Sequence, residues 1–361
     1  MLSRDKKRLT YIDIVKAIAM ISIVVFHSCT NNGNTYLATN AYLIRVTSAY
    51  GLPVFFFVNG FLFHNKDVEH PVRMIWKKIK KYYFPFLCNN LFFWAFHNVF
   101  VLLHMLDEQH GGGWYSAKDY LVQFIKAVTG HREYFAGALW FLGSILIINT
   151  IVIICEFFIT KVFKGKYHDL FLGIVACMLM VIGNSGYITD KMKIATSLCN
   201  LIYFYLGMIY RKYNWNEVLL KKKYIFIAFG LILDLLVSFN KLYDPFACNS
   251  RLVFIALDYV NAFFCIAAIM MISQLPIFEK SKVLKLVGEN TLDIMGLHFM
   301  LFKIVSLIII CVYRLPIIRL AEYPVLMGIG GGWWILYSVV GISIATFFGV
   351  IRHKCLEVRR R

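Results

Sequence analysis

The chain has 361 residues, 60% of them hydrophobic, and a mean hydropathy of +0.66. A water-soluble protein of this size has too little interior to hide that much apolar surface, so the composition points to an integral membrane protein. The formal net charge of +18 raises a nucleic-acid reading, which the placement of the charges then removes. The N-terminus, residues 64–81, 161–168, 211–223 and 274–287, and the C-terminus hold 26 of the 38 Lys and Arg, whereas the five intervening loops hold nine. That alternation is the positive-inside pattern of a polytopic protein with both termini in the cytoplasm.

Ten hydrophobic spans are expected, near 10–30, 41–63, 82–105, 136–160, 169–187, 196–210, 224–240, 252–273, 288–312 and 325–351. They predict an all-α membrane protein, a single domain over 1–361, with about ten transmembrane helices in one bundle. The basic N-terminus followed by an apolar run looks like a signal peptide. The run is too long, however, and no small-x-small site follows His27, so an anchor that stays is expected. Nine scattered cysteines without C-x-x-C suggest neither a metal site nor a disulfide framework.

The first span, from Tyr11 to His27, carries Asp13, Lys16 and His27. On a helix the eleven-residue separation returns Lys16 and His27 to within about 20° of one face, and Asp13 lies one turn before Lys16. At ~1.5 Å per residue, Lys16 and His27 are about 16 Å apart, roughly half the hydrocarbon thickness. Ionisable groups inside a membrane are costly, which favours a functional stripe over one that only joins helices.

The second span contains Gly51-Leu-Pro-Val-Phe-Phe-Phe-Val-Asn-Gly60. Pro53 predicts a kink, and Asn59-Gly60 a small polar break level with Lys16. The next loop is the most basic of the chain, with Arg73, Lys77, Lys78, Lys80 and Lys81 ahead of Tyr82-Tyr-Phe-Pro85. On its own this run reads as a topology signal or a contact for anionic lipid headgroups, although ammonium groups also suit a phosphorylated ligand. The third span carries Asn90, His97 and His104 at seven-residue intervals, a stripe facing protein or a water-filled cavity. The two histidines are poorly spaced for one metal ion.

Within the loop 106–135, Ser116-Ala-Lys-Asp119 is a capping-box pattern ahead of Tyr120, Leu121, Phe124, Ile125 and Val128 on one face. It predicts a short helix lying on the outer surface. Trp140 marks the outer interface at the start of the fourth span, and Asp258 and Asn261 share an inward face of the eighth. The ninth span opens Gly288-Glu-Asn-Thr-Leu-Asp-Ile-Met-Gly-Leu-His298, and places His298 near mid-bilayer.

Taken together these motifs resemble the membrane acyltransferase family 3, and within it the fucose 4-O-acetylase-like branch. The resemblance rests on Asp13, Lys16 and His27; on Pro53 to Gly60; on the basic run from Lys77 to Pro85; on Leu139-Trp-Phe-Leu142; and on Gly288 to His298. They occur in family order from residue 10 to about 300. Two departures stand out: Lys16 replaces the Arg of the wider family, and Asn59 its Ser. Lysine keeps the charge but loses bidentate geometry.

The resemblance implies a multi-pass enzyme of the cell membrane, embedded among membrane lipids. It moves an acyl group, typically acetyl, from cytoplasmic acyl-CoA to a hydroxyl of a cell-surface glycan or lipid-linked sugar. Acyl-CoA acts as co-substrate, with no bound cofactor, no metal and no nucleic-acid partner. Lys77, Lys78, Lys80, Lys81, Asn59 and Asn290 are the donor-binding candidates; His27, with Lys16 and Asp13, is the catalytic group. His27 serves as the base for direct attack, with a transient acyl-enzyme as the other route. Trp140, His298 and His97 are placed with the acceptor or around it. A transporter or flippase of a glycan also accounts for a polar stripe, a proline and basic loops, but the sequence carries no inverted repeat.

Overall fold

The computed structural model describes residues 9–31, 35–36, 41–64, 68–163, 166–239 and 252–358. The helices run α1 Thr10–Ser28, α2 Ala41–Ser48, α3 Gly51–Phe61, α4 Pro71–Lys78, α5 Phe84–Ala95, α6 His97–Leu102, α7 Ala117–Val128, α8 Trp140–Val162 and α9 Lys166–Asn184. They continue with α10 Ile194–Lys212, α11 Trp215–Leu220, α12 Lys223–Phe239, α13 Leu252–Ile272, α14 Pro276–Glu279, α15 Lys282–Glu289, α16 Thr291–Tyr313 and α17 Trp333–Val358. Among the described residues, β structure is limited to a two-residue antiparallel ladder, Thr30 against Tyr36 and Asn31 against Thr35, and one isolated bridge between Asp107 and Gly111.

Among the described residues, seven stretches are long and apolar enough to cross a bilayer: Thr10–Ser28, Tyr42–Phe61, Tyr134–Val162, Tyr167–Asn184, Ile255–Ile272, Thr291–Tyr313 and Trp333–Cys355. The chain is therefore an all-helical, multi-pass membrane protein. The remaining three expected spans are helical too, yet shorter or more polar. The third is divided into α5 and α6 at Phe96, and α12 has 17 residues. In α10, Asn200 and the closing Arg211-Lys212 dilute the apolar run.

The second span breaks earlier than Pro53 predicts. Helix α2 stops at Ser48, and Pro53 sits in the first turn of α3, where its missing N–H costs no helical bond. The capping box is present as expected: Ser116 Oγ accepts from the Asp119 amide, and Asp119 accepts from the Ser116 amide at 2.9 Å. Leu121 and Ile125 of α7 are exposed, the aspect of a helix that meets an apolar interface.

Helix α1 is the centre of the bundle, packing on α2, α3, α13, α15, α16 and α17. Glycines set the closest crossings. A Cβ on Gly60 of α3 would stand 1.8 Å from the Phe204 carbonyl oxygen of α10, and one on Gly207 of α10 would stand 2.0 Å from that of Phe57. Gly288 of α15 meets the Asp13 carbonyl oxygen of α1 in the same way, at 1.8 Å. Small residues thus bring backbones together where lipid supplies no hydrophobic drive. We call the end carrying Tyr11, Phe61 and Lys78 the basic end, and the end carrying Ser28, Tyr134 and Tyr323 the loop end.

Candidate functional site

At the basic end Lys16 Nζ lies 2.7 Å from Asp13 Oδ1, one turn back along α1. Asp13 is buried and Lys16 half-buried, so the pair brings a cation into the apolar layer with its counter-charge attached. The backbone contact of Gly288 fixes the height of Asp13.

Toward the loop end His27 meets His298 of α16, with ring centroids 5.4 Å apart. Phe299 packs edge-on to His27 at 4.8 Å, and the hydroxyls of Ser28 and Ser338, 3.1 Å apart, tie α1 to α17 beside it. His298 is fully buried, and its Nδ1 donates to the Ile294 carbonyl at 2.8 Å. In the neutral ring this bond leaves the lone pair on Nε2, which has no hydrogen-bond partner among the described residues. Neither nitrogen of His27 is hydrogen-bonded among them. Two adjacent imidazoles with unengaged nitrogens are an uncommon arrangement inside a bundle, where buried polar atoms are normally satisfied.

His27 stands in the wall between two cavities. One, of about 260 Å³, is lined by Met20, Ile23, Phe26, His27, Leu52 and Met295, among others. Lys16, Met20, Ile23 and His27 follow at i, i+4, i+7 and i+11, so this apolar cavity runs from His27 along the stripe that bears Lys16. The other, of about 420 Å³, opens toward the loop end between Tyr134, Gly137, Trp140, Phe299 and Tyr323. Trp140 and Ala138 belong to both.

The donor-binding candidates are spread along the basic end. Asn59 Nδ2 donates to the Tyr82 hydroxyl at 2.8 Å, and Asn59 Oδ1 accepts from Asn149 Nδ2 at 2.9 Å, a polar junction of α3, α8 and the segment after α4. That segment, Ile79–Tyr83, is a π-helical turn and carries Lys80 and Lys81; such turns recur at functional sites. Lys78, Lys80 and Lys81 lie over the rings of Phe63, Trp76 and Tyr82, at 5.0 to 5.5 Å from the centroids. Burial, and then the neighbouring Lys81, lowers the Lys78 ammonium to about 8.

Asn290 is buried where α15, α16 and α17 join, and donates to the Leu286 carbonyl at 2.8 Å. His97 serves the 106–135 loop: Nε2 meets the Gly113 carbonyl at 3.0 Å, and the ring stacks on Tyr115. Asn90 supports the same loop through the His131 carbonyl and the Glu133 amide. Asn261 does face inward, onto Asp234 at 3.0 Å.

The structure thus sets His27 and Trp140 in the walls of both cavities, with His298 buried against His27, and pairs Asp13 with Lys16 below them. His97 and Asn290 line neither cavity. Tyr134, Phe299 and Tyr323 were not legible as site residues, since aromatics in the helices and loops of a membrane protein carry no distinguishing pattern. The buried Glu156–His168–Asp169 group was missed as well. Among the described residues, no group of three His, Cys, Asp or Glu side chains could hold a metal ion.

Fold and site together define a multi-pass membrane protein with a histidine-centred site between two cavities. Residues 9–352 match the family model described as an acyltransferase domain. The chain belongs to acyltransferase family 3 and is a membrane acyltransferase. No curated protein and no solved structure matches it.

Proposed function

We propose that the protein transfers an acyl group, acetyl in the simplest case, from cytoplasmic acyl-CoA to a glycan hydroxyl on the far side of the cell membrane, as in the fucose 4-O-acetylase-like branch. The observation that carries this reading is the position of His27. It separates an apolar cavity that follows the Lys16 stripe from an aromatic-lined cavity that opens at the other end. On this reading the ten helical spans all cross the membrane, and both termini lie in the cytoplasm.

The apolar cavity takes the acyl thioester, while CoA phosphates meet the lysines of residues 77–81, with Asn59 and Asn290 nearby at that level. Lys16, held by Asp13, supplies a cation on the donor's path. A sugar ring lies against Trp140, Tyr134 and Tyr323. Its hydroxyl gives a proton to His27 as the oxygen attacks the thioester carbonyl carbon. The tetrahedral adduct collapses, the carbon–sulfur bond breaks, and CoA leaves as a thiolate that takes up a proton. His298 Nε2, fixed as an acceptor by the bond to Ile294, is placed to orient the His27 ring or receive its proton.

Reconstituted in proteoliposomes, the protein should release CoA thiol from acetyl-CoA and move labelled acetyl onto an oligosaccharide on the opposite side. Movement of a lipid-linked glycan with acetyl-CoA left intact would replace the reading with that of a flippase.

A further inference from the structure

The open cavity at the loop end has a rim whose charge the reaction itself does not need. Lys193 Nζ stands 5.7 Å from the centroid of the Trp140 ring. Arg132 Nη1 stands 3.4 Å from the carbonyl oxygen of Gly137. Trp140 and Gly137 are both walls of the cavity that holds His27, so two cations flank one mouth.

The nearby carboxylates are already engaged. Asp190 meets Lys193 at 2.7 Å, but it also accepts from the Thr196 amide at 3.0 Å and the Thr196 hydroxyl at 2.8 Å, in the first turn of α10. Its charge is thus shared between Lys193 and that helix start, and it also acts on Arg132. Glu133 is buried and turned toward His97, 3.7 Å away, and Glu322 is held by Arg319 at 2.5 Å. Arg132 is exposed and has no carboxylate within ion-pair distance among the described residues.

The backbone beneath Lys193 is unusual too. Met192 and Lys193 take φ of 54° and 61°, two successive left-handed residues that both bear side chains. That region is sterically disfavoured for them. A Cβ on Gly130 would lie 3.4 Å from Met192 Cε, so this turn abuts the loop that carries Arg132. The chain thus holds a disfavoured turn at the point where it sets one cation over the cavity aromatic and close to the other cation's loop.

We infer that the acceptor is an anionic glycan, whose carboxylate or phosphodiester is received between Arg132 and Lys193 while a neighbouring hydroxyl reaches His27. This rests on the acyl-transfer reading above. Arg is suited to such groups because its fork matches two anionic oxygens, and the lysine adds a point charge. The same cations could face anionic lipid headgroups. Continuity with the aromatic cavity favours the glycan, since headgroups would not need Trp140.

The test uses the full chain in nanodiscs of phosphatidylcholine. Calorimetry compares a glucuronate-containing tetrasaccharide, its carboxyl-reduced neutral counterpart and a glycerol-phosphate oligomer; thiol release from acetyl-CoA is followed with each. At least one anionic probe should bind about tenfold more tightly than the neutral one, with an advantage that shrinks at higher salt. Arg132→Gln with Lys193→Asn should erase that advantage through KM rather than kcat and leave neutral binding unchanged; Asn tolerates the left-handed backbone. Equal binding of charged and neutral probes, or an advantage that survives both substitutions, would overturn the inference. So would a charge effect seen only after anionic lipid is added to the disc. Anionic preference without thiol release from any probe would refute acyl transfer while keeping the anionic site.

Discussion

Two buried histidine regions of this molecule meet opposite fates. At the basic end, His168 of α9 has a carboxylate at each ring nitrogen: Glu156 at 3.1 Å from Nε2 and Asp169 at 3.2 Å from Nδ1. Asp169 is further held by Lys212 at 2.5 and 2.7 Å and by the Tyr213 hydroxyl at 2.5 Å. Toward the loop end, among the described residues, His298 Nε2 has no partner and the ring of His27 beside it makes no hydrogen bond. The first arrangement is a strut that ties α8, α9 and α10. The second leaves acceptor capacity unspent next to two cavities, which is what a site that handles a substrate proton requires. Burial, residue type and an adjoining cavity, which His168 has at about 590 Å³, do not separate the two; the bonding of the ring nitrogens does.

The sharpest way to break this comparison is to substitute both histidines. His27→Asn keeps size and hydrogen bonding but cannot take up a proton. Transfer should fall about 10²–10⁴-fold, the usual loss for a general base, while acetyl-CoA binding persists. Near wild-type transfer by the Asn variant would move the base to His298.

His168→Leu should do the reverse. It removes the imidazole from between two buried carboxylates, one of them, Glu156, fully inaccessible. Breaking a buried pair in this way costs about 3–5 kcal/mol. Thermal denaturation in detergent should show a marked drop in Tm, with kcat per folded molecule retained. A loss of kcat at unchanged Tm would mean that the strut is part of the chemistry, and the contrast between the two regions would collapse.

How far the chain announces these features differs along its length. The α1 stripe was legible because Asp13, Lys16 and His27 lie on one helix, where spacing alone fixes their relation. The pairing of His27 with His298 brings together residues 271 apart in sequence, and only the resemblance linked them beforehand. The aromatic cavity draws Tyr134 and Tyr323 from two loops with no shared period. The strut joins Glu156 to His168 across the α8–α9 connection, within a stretch that read only as apolar span and basic loop. Gly60 read as a polar break, yet its work is the backbone contact with Phe204, which no sequence pattern marks out.

The basic end offers a smaller effect that sharpens the comparison from the donor's side. Lys78 is brought to about 8 by burial and by Lys81, so its charge is present below that pH and lost above it. About nine-tenths of it is protonated at pH 7 and about one-tenth at pH 9. If this ammonium meets a CoA phosphate, as proposed, acetyl-CoA affinity should fall about two- to fivefold between those pH values, the scale of one partly exposed charge contact. The sign follows from the charge: the phosphate stays anionic throughout, so only the cation is lost. Lys78→Arg should hold the affinity level across the range, because guanidinium does not titrate there. Lys78→Gln should give the weaker affinity at both ends. Calorimetric titration of the wild type and both variants at pH 7 and 9 reads the outcome. A parallel decline in all three would assign it to other groups and return Lys78 to topology alone, leaving the donor to the remaining lysines of the run.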